Sequence, residues 1–275
     1  MTALVAHATP GAGGPDPLLL VTVGVAAGWG WAVLRVNAAH PRSPVPTWRA
    51  ASFLAGLAVL VLALQGPIDT FADDLFSVHM VQHVLLGFVA APLLVLGSPL
   101  LLAMRLVPAD VRRKVLLPVV RSASVKALTF PPLTWLLFGV TMWLVHFSPL
   151  YELALESEAI HRLEHLLILG TAVLYWLPAL GDEPLAHRLS WSRRFLYVFA
   201  GMPVSSVLGL VIASDTRVLY PAYAAAADAT TALADQRLAG AIMWVGTDLI
   251  GIVLLGLLIA RWARAEAARP SRRLA

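Results

Sequence analysis

Two pairs of histidines have the spacing of neighbouring side chains on a helix. His79 and His83 are four residues apart, and His161 and His165 repeat that spacing. Residues four apart lie about 40° from each other around a helix, so each pair presents both imidazoles on one face. Imidazole is the commonest metal ligand in proteins, and two such pairs facing each other can share an ion. The spacing therefore predicts a metal site, provided that the two helices bring the pairs to the same depth.

The composition is typical of a polytopic membrane protein. Of the 275 residues, 59% are hydrophobic and only 13% are charged, whereas about 25% are charged in an ordinary soluble domain. The chain contains no cysteine, which excludes disulfides and thiolate metal sites and leaves methionine as the only soft ligand. The net charge of +4 comes from basic residues in short segments between apolar runs, the pattern of membrane loops. We therefore expect no nucleic-acid partner.

Seven apolar runs approach the roughly 20 residues that a helix needs to cross a bilayer. They cover residues 17–36, 50–65, 75–96, 128–147, 159–180, 195–213 and 238–260. We predict an all-α fold, a bundle of seven transmembrane helices over residues 17–260, between an extracytoplasmic tail (1–16) and a basic cytoplasmic tail (261–275). Because residues 1–16 contain no lysine or arginine, we expect no signal peptide. Gly97 and Pro99 are expected to end the third span.

The distribution of basic residues predicts the orientation. The segments at the ends of the first, third, fifth and seventh spans hold 17 of the 20 lysines and arginines. Since positive residues are enriched in cytoplasmic loops, we predict that the N-terminus lies outside and the C-terminus in the cytoplasm.

With this orientation, five of the eight histidines fall near the outer surface. His79 and His83 lie roughly 6 and 12 Å inside the third span, His146 ends the fourth span, and His161 and His165 begin the fifth. Histidine is costly in hydrocarbon unless it faces the bundle interior with partners, so we interpret the five as metal ligands. The other three histidines are expected to be solvated: His7, His40 and His187.

Several other polar residues are candidates for supporting roles. Glu164 shares a face with the second histidine pair in the segment HRLEH, whose H-x-x-E-H spacing also occurs in inverzincin metalloproteases. Because HRLEH opens a membrane span here, we expect Glu164 to orient a histidine. The remaining candidates near the site are Asp74, Asp235, Gln236, Met243 and Asp248. For the first two, helix capping is the simpler interpretation. Asp248 lies near the middle of the seventh span, where a carboxylate should be protonated, paired or functional.

Three segments resemble a known family. They are SVHMVQHVLLGFVAAPLLVLGSPL, HFSPLYELALESEAIHRLEHLLILGTAVLYWLPAL and LADQRLAGAIMWVGTDL, which occur in the order found in the multi-span CtaG family of cytochrome c oxidase assembly factors. The resemblance covers residues 71–258, with one departure at AAPLL (residues 90–94), where the family has two adjacent prolines. It implies a non-enzymatic assembly factor in the bacterial plasma membrane. It also implies copper delivery to a haem–copper oxidase subunit, with an extracytoplasmic copper donor as a further expected partner.

Without the resemblance, the residues leave other functions open. A membrane zinc or iron hydrolase or oxygenase could use the H-x-x-E-H face. A haem held by two histidines of the third and fifth spans would make the chain an electron carrier. With the resemblance, the remaining alternative is a scaffold that binds an oxidase subunit without metal.

Overall fold

The structure is a computed structural model that describes residues 16–226 and 228–268, and no β-strand occurs in these ranges. The helices of the first half are α1 (Pro17–Ala39), α2 (Thr47–Leu64), α3 (Pro67–Ala72), α4 (Phe76–Val84), α5 (Ala91–Gly97), α6 (Pro99–Leu106), α7 (Ala109–Val111), α8 (Leu117–Val120) and α9 (Ala123–Leu128). Those of the second half are α10 (Pro131–Phe147), α11 (Leu150–Glu156), α12 (Glu158–Leu180), α13 (Trp191–Ser214), α14 (Pro221–Ala226), α15 (Ala229–Ala241) and α16 (Thr247–Ala267). Three π-helical stretches link neighbouring helices: Leu85–Ala90, Arg112–Leu116 and Ile242–Gly246. The predicted all-α fold is confirmed.

Within the described residues, six helical segments are long and apolar enough to cross a membrane. They are Pro17–Ala39, Thr47–Leu64, Phe76–Leu106, Glu158–Leu180, Trp191–Ser214 and Ala229–Ala267. The pair α10 and α11 is bent by 64° and adds a seventh span if it is taken as one unit. These segments account for all seven predicted runs, while the orientation of the termini stays a prediction.

The third span is interrupted at residues 97–99, where the sequence predicts its end, and then continues as α6. Helix α5 stops at Gly97, Ser98 adopts a left-handed conformation (φ 56°), and Pro99 opens α6. Proline is tolerated in the first turn because its missing N–H would have no intrahelical partner there. The basic connection after residue 100 is therefore a series of short helices.

Helices α4 and α12 form the centre of the bundle. About half of each span is buried, whereas α1 and α2 are mostly exposed on their apolar surface, as expected for helices that face lipid. Around this centre, Phe76, Met142, Ile168 and Trp176 belong to one core cluster. The most buried span is thus the one that carries His79 and His83.

Inside the third span, a backbone carbonyl without its intrahelical partner accepts a hydrogen bond from a side chain. In the π-helical stretch Leu85–Ala90, the carbonyl of Gly87 would pair with the nitrogen of Pro92, which has no hydrogen. The indole Nε1 of Trp176, on α12, donates to this carbonyl at 2.8 Å. The bond ties α12 to the span next to it.

Helices α13 and α15 approach each other through small residues. A Cβ on Gly240 would lie 2.5 Å from the backbone nitrogen of Ala213 and 2.6 Å from the carbonyl oxygen of Gly209. Small residues at a helix crossing allow the backbones to meet, which is a common way to pack membrane helices. This contact fixes α15, which in turn contacts α4.

Candidate metal centre

The five predicted outer-side histidines come together inside the bundle. Helix α4 supplies His79 and His83, α10 supplies His146, and α12 supplies His161 and His165. None of these residues is more than 7% exposed. The ring centroids of His79 and His161 lie 5.0 Å apart, and those of His83 and His165 lie 5.6 Å apart. The two helical pairs therefore face each other across α4 and α12.

Polar contacts from distant segments hold α4 in this position. The carboxylate of Asp235, on α15, accepts a hydrogen bond at 3.2 Å from the backbone N–H of Ser77. It thereby satisfies one of the amides that every helix leaves open at its start. Buried Gln82 donates to the carbonyl of Ala63 at 2.8 Å and to the carboxylate of Asp69 at 3.1 Å. Ser77 lies two residues before His79, and Gln82 lies between His79 and His83. The bonds therefore hold α4 on both sides of His79 and set its register.

A chain of hydrogen bonds assigns the protons of two imidazoles. His146 Nδ1 lies 2.7 Å from the carbonyl oxygen of Met142, which can only accept, so His146 carries its proton on Nδ1. Its Nε2 is then the acceptor for His83 Nδ1, at 3.2 Å. A neutral His83 consequently presents an unprotonated Nε2 on the other side of its ring. This is the arrangement in which metal-binding histidines are normally held.

Acceptor atoms converge on that nitrogen. His79 Nε2 lies 2.9 Å from His83 Nε2, and Glu164 Oε1 lies 3.3 Å from it. Both carboxylate oxygens of Glu164 are buried and receive no well-directed hydrogen bond within the described part of the chain. A proton on His79 Nε2 can serve only one of these contacts. With that proton donated to His83 Nε2, the contact between His83 Nε2 and Glu164 Oε1 joins two acceptor atoms, which a cation between them would satisfy.

The spacing of these atoms is compatible with a metal site. Two nitrogen ligands about 2.0–2.1 Å from a tetrahedral ion lie roughly 3.3 Å apart, close to the separations around His83. Two sets of three residues have ligand atoms within 4.8 Å of one another: His79, His83 and His165, and His79, His161 and Glu164. Glu164 thus lies where it can bind an ion directly as well as orient a histidine. Nitrogen and carboxylate ligands suit copper, zinc and iron alike, so the donor set does not select among them.

The other candidate residues lie away from the cluster or serve the fold. Asp74 is exposed in the turn before α4, and Met243 is buried in the core. Gln236 Oε1 accepts from the N–H of Leu219 at 2.7 Å and so anchors the segment that follows α13. Asp248 is paired, since its Oδ1 lies 2.7 Å from the hydroxyl of Ser206.

The histidines predicted to be solvated are not part of the cluster. His40 is exposed at the end of α1, and His187 packs against the ring of Phe130. His7 lies outside the described residues.

Comparison with models of protein families identifies the family to which the chain belongs. The model of the cytochrome c oxidase caa3 assembly factor family (Caa3_CtaG) matches residues 27–265. The chain belongs to this family. The match includes all five histidines of the cluster and confirms the resemblance seen in the sequence.

Curated relatives of this family member occur in mycobacteria. The chain is 27% identical to an uncharacterized protein of Mycobacterium leprae over 259 residues, and 28% identical to uncharacterized proteins of Mycobacterium bovis and Mycobacterium tuberculosis over 257 residues. Each match covers 90% of this chain but only 38% or 39% of the relative. The chain therefore spans about two fifths of the length of the curated relatives it matches. No solved structure shows a significant match.

Sequence reasoning missed an aromatic layer over the cluster in this Caa3_CtaG protein. The ring of Tyr151 lies 5.1 Å from that of His79, and its hydroxyl is 3.1 Å from that of Tyr223. Burial raises the pKa of Tyr220, so its hydroxyl stays protonated and donates to the carbonyl of His146. The only local signal was Phe76, three residues before His79 and on the same helical face. The tyrosines come from separate segments, and no spacing connects them.

Proposed function

We propose that this Caa3_CtaG protein holds a copper ion transiently between α4 and α12 and passes it to a subunit of the oxidase. The observation that carries the proposal is the convergence of buried acceptor atoms on His83 Nε2, where the contacts of His79 and Glu164 lack a positive partner. The identity of the metal rests on the family, which serves a copper-containing enzyme, and on a donor set that copper accepts.

Each residue has a distinct part in the proposal. His79, His83 and His165 are the nitrogen ligands, with Glu164 or His161 completing the site. In the sequence analysis His146 is also a ligand, but the bonds described above engage both of its ring nitrogens. We therefore assign it the role of positioning His83.

The chemistry suits a carrier better than a permanent metal site. The chain has no cysteine, and a site of imidazoles and one carboxylate should bind copper(I) less tightly than thiolates do. Transfer of copper(I) to a thiolate-containing site on the oxidase would then be thermodynamically favourable. With the predicted orientation the cluster lies near the outer surface, where an extracytoplasmic donor could load it. The aromatic layer that includes Tyr151 would have to move for the ion to enter or leave.

The test is copper binding by the purified 275-residue chain. The protein is stripped of metal, titrated with copper(I) against a competing chelator, and analysed for copper, zinc and iron. We expect one copper per chain, with His83→Ala and His165→Ala losing most of it. His40→Ala, which removes an exposed histidine outside the cluster, is the matched control and should bind like the wild type. In cells, the first two variants should lower the copper content and activity of the oxidase.

The alternatives give different results in the same experiment. Retention of zinc or iron with loss of an enzymatic turnover in Glu164→Gln would favour a metalloenzyme. A cluster variant that binds no metal and still supports oxidase assembly would favour a scaffold. Wild-type copper binding in both His83→Ala and His165→Ala would defeat the proposal.

A further inference from the structure

An open cavity of about 720 Å³ lies at the opposite end of α10 from the histidine cluster. It is bounded by the first turns of α10 and α13 and by the segment between α12 and α13. Pro131 lines it, and His146 is fifteen residues further along α10, or about 22 Å at 1.5 Å per residue. The volume is within the range of roughly 300–1,000 Å³ that small-molecule sites occupy. The cavity is therefore separate from the candidate metal centre.

The walls of the cavity are apolar and continue into the membrane-facing surface. Phe130, Trp135, Leu196, Tyr197 and Ala200 all line it. Leu196 is 60% exposed, although it lies in a helix that is long and apolar enough to span the bilayer. A ligand here would have its apolar part beside lipid chains.

The mouth of the cavity is basic. Arg188 and Arg193 line it, and none of its described lining residues is acidic. The two acidic residues of the neighbouring segment are engaged elsewhere. Asp182 contacts Arg49 at 2.5 Å and Arg261 at 3.1 Å, and the carboxylate of Glu183 accepts from two backbone N–H groups at the start of α6. Arg188 Nη2 also donates to the backbone carbonyl of Glu183, at 3.5 Å. Since a carbonyl is neutral, the positive charge at the mouth can still attract an anion.

We propose that this cavity binds an anionic phospholipid of the surrounding bilayer. The headgroup phosphate lies between Arg188 and Arg193, and an acyl chain follows the wall formed by Leu196, Tyr197 and Ala200. The N-terminus of α13, a helix of 24 residues that starts at Trp191, adds a favourable partial positive charge near the phosphate. Basic pockets between membrane helices are suited to such headgroups, and the combination of a basic mouth with an apolar wall matches an amphiphile better than a free anion.

The test is native mass spectrometry of the full chain in mild detergent. Equal amounts of phosphatidylglycerol and phosphatidylcholine with the same acyl chains are added. We expect the wild type to retain phosphatidylglycerol preferentially, and Arg188→Gln/Arg193→Gln to lose roughly 30-fold in relative retention. Arg112→Gln/Arg113→Gln removes the same charge from exposed positions outside the cavity and should behave like the wild type.

A second variant separates the acyl chain from the headgroup. Ala200→Trp fills the cavity wall without changing the charge and should also reduce retention of phosphatidylglycerol. Equal retention of the two lipids by the wild type, or unchanged preference in Arg188→Gln/Arg193→Gln, would overturn the proposal. Displacement of the lipid by millimolar inorganic phosphate, with Ala200→Trp unaffected, would also overturn it by showing a site for a free anion. None of these outcomes depends on copper binding.

Discussion

Replacing Glu164 by glutamine should have opposite effects on the metal-free and metal-bound protein. The carboxylate is fully buried among imidazoles and receives no well-directed hydrogen bond from the described residues. A buried charge without a partner is destabilising, and glutamine keeps the volume of the side chain while removing the charge. We expect Glu164→Gln to stabilise the metal-free protein and to weaken the stabilisation that copper provides.

The two effects can be given magnitudes. Removing an uncompensated buried charge should raise the free energy of unfolding by about 1–3 kcal/mol. A ligand present at about 100 times its Kd adds roughly 2.7 kcal/mol of stability, and a tenfold weaker site under the same conditions adds roughly 1.4 kcal/mol. The copper-dependent gain should therefore fall by about half in Glu164→Gln.

Thermal unfolding in detergent, with and without copper(I), measures both quantities. Each kcal/mol corresponds to a shift of roughly 2–4 °C in Tm for a chain of this size class, which is readily resolved. A lower Tm for metal-free Glu164→Gln, combined with an unchanged copper-dependent gain, would refute the reasoning. That outcome would mean that Glu164 is the counter-ion of a protonated histidine.

Three further predictions concern positioning and packing. His146→Ala should lower copper affinity by about 10- to 100-fold while keeping one copper per chain, measured by chelator competition; an unchanged affinity would contradict the positioning role. Gly240→Ala should destabilise the protein by about 1–3 kcal/mol because its Cβ meets the α13 backbone, whereas Gly256→Ala, which meets nothing within 4 Å, should not lower the Tm. Hydrogen bonds from the Thr231 hydroxyl and amide lower the pKa of Asp228, so the cap on α15 should persist at neutral pH. It should be lost only as the pH falls through that lowered pKa, seen as faster amide exchange in the first turn after correction for intrinsic rates.

The cluster could be predicted to the extent that it depends on local periodicity. The spacing of His79 and His83, repeated at His161 and His165, places each pair on one face of its helix, and the alternation of basic loops gives the pairs a common depth. These are properties of short segments and of the chain order. They required no knowledge of which helices are neighbours.

The roles within the cluster depend on tertiary contacts and could not be predicted. The sequence predicts His146 as a ligand because it has the right depth, yet its two nitrogens are engaged by Met142 and His83. Asp235 precedes a span and so resembles an ordinary cap, but it binds Ser77, 158 residues away. In both cases the partner is fixed by helix packing, which the period of a single helix does not reveal.

Tertiary packing also determines the helix geometry at residues 90–94, where the sequence departs from the family pattern. The sequence shows that one of two adjacent prolines is missing, and this suggests altered helix geometry. The structure has a π-helical stretch ending at Ala90, with the open carbonyl of Gly87 bound by the indole of Trp176, 89 residues away. A proline predicts that a carbonyl loses its usual partner, but only the packing of α12 determines what replaces it.

The difference between a satisfied polar core and a ligand site lies in how its hydrogen bonds are distributed. Buried polar networks that only stabilise a fold have nearly all of their donors and acceptors paired. Here His146, at the side of the cluster, follows that rule, because both of its ring nitrogens are bonded. The inner members do not, because Glu164 and His165 Nε2 lack well-directed hydrogen bonds within the described residues. Buried acceptor atoms without a nearby positive charge favour the binding of a cation, whereas a network that only stabilises a fold is expected to pair its inner groups as well.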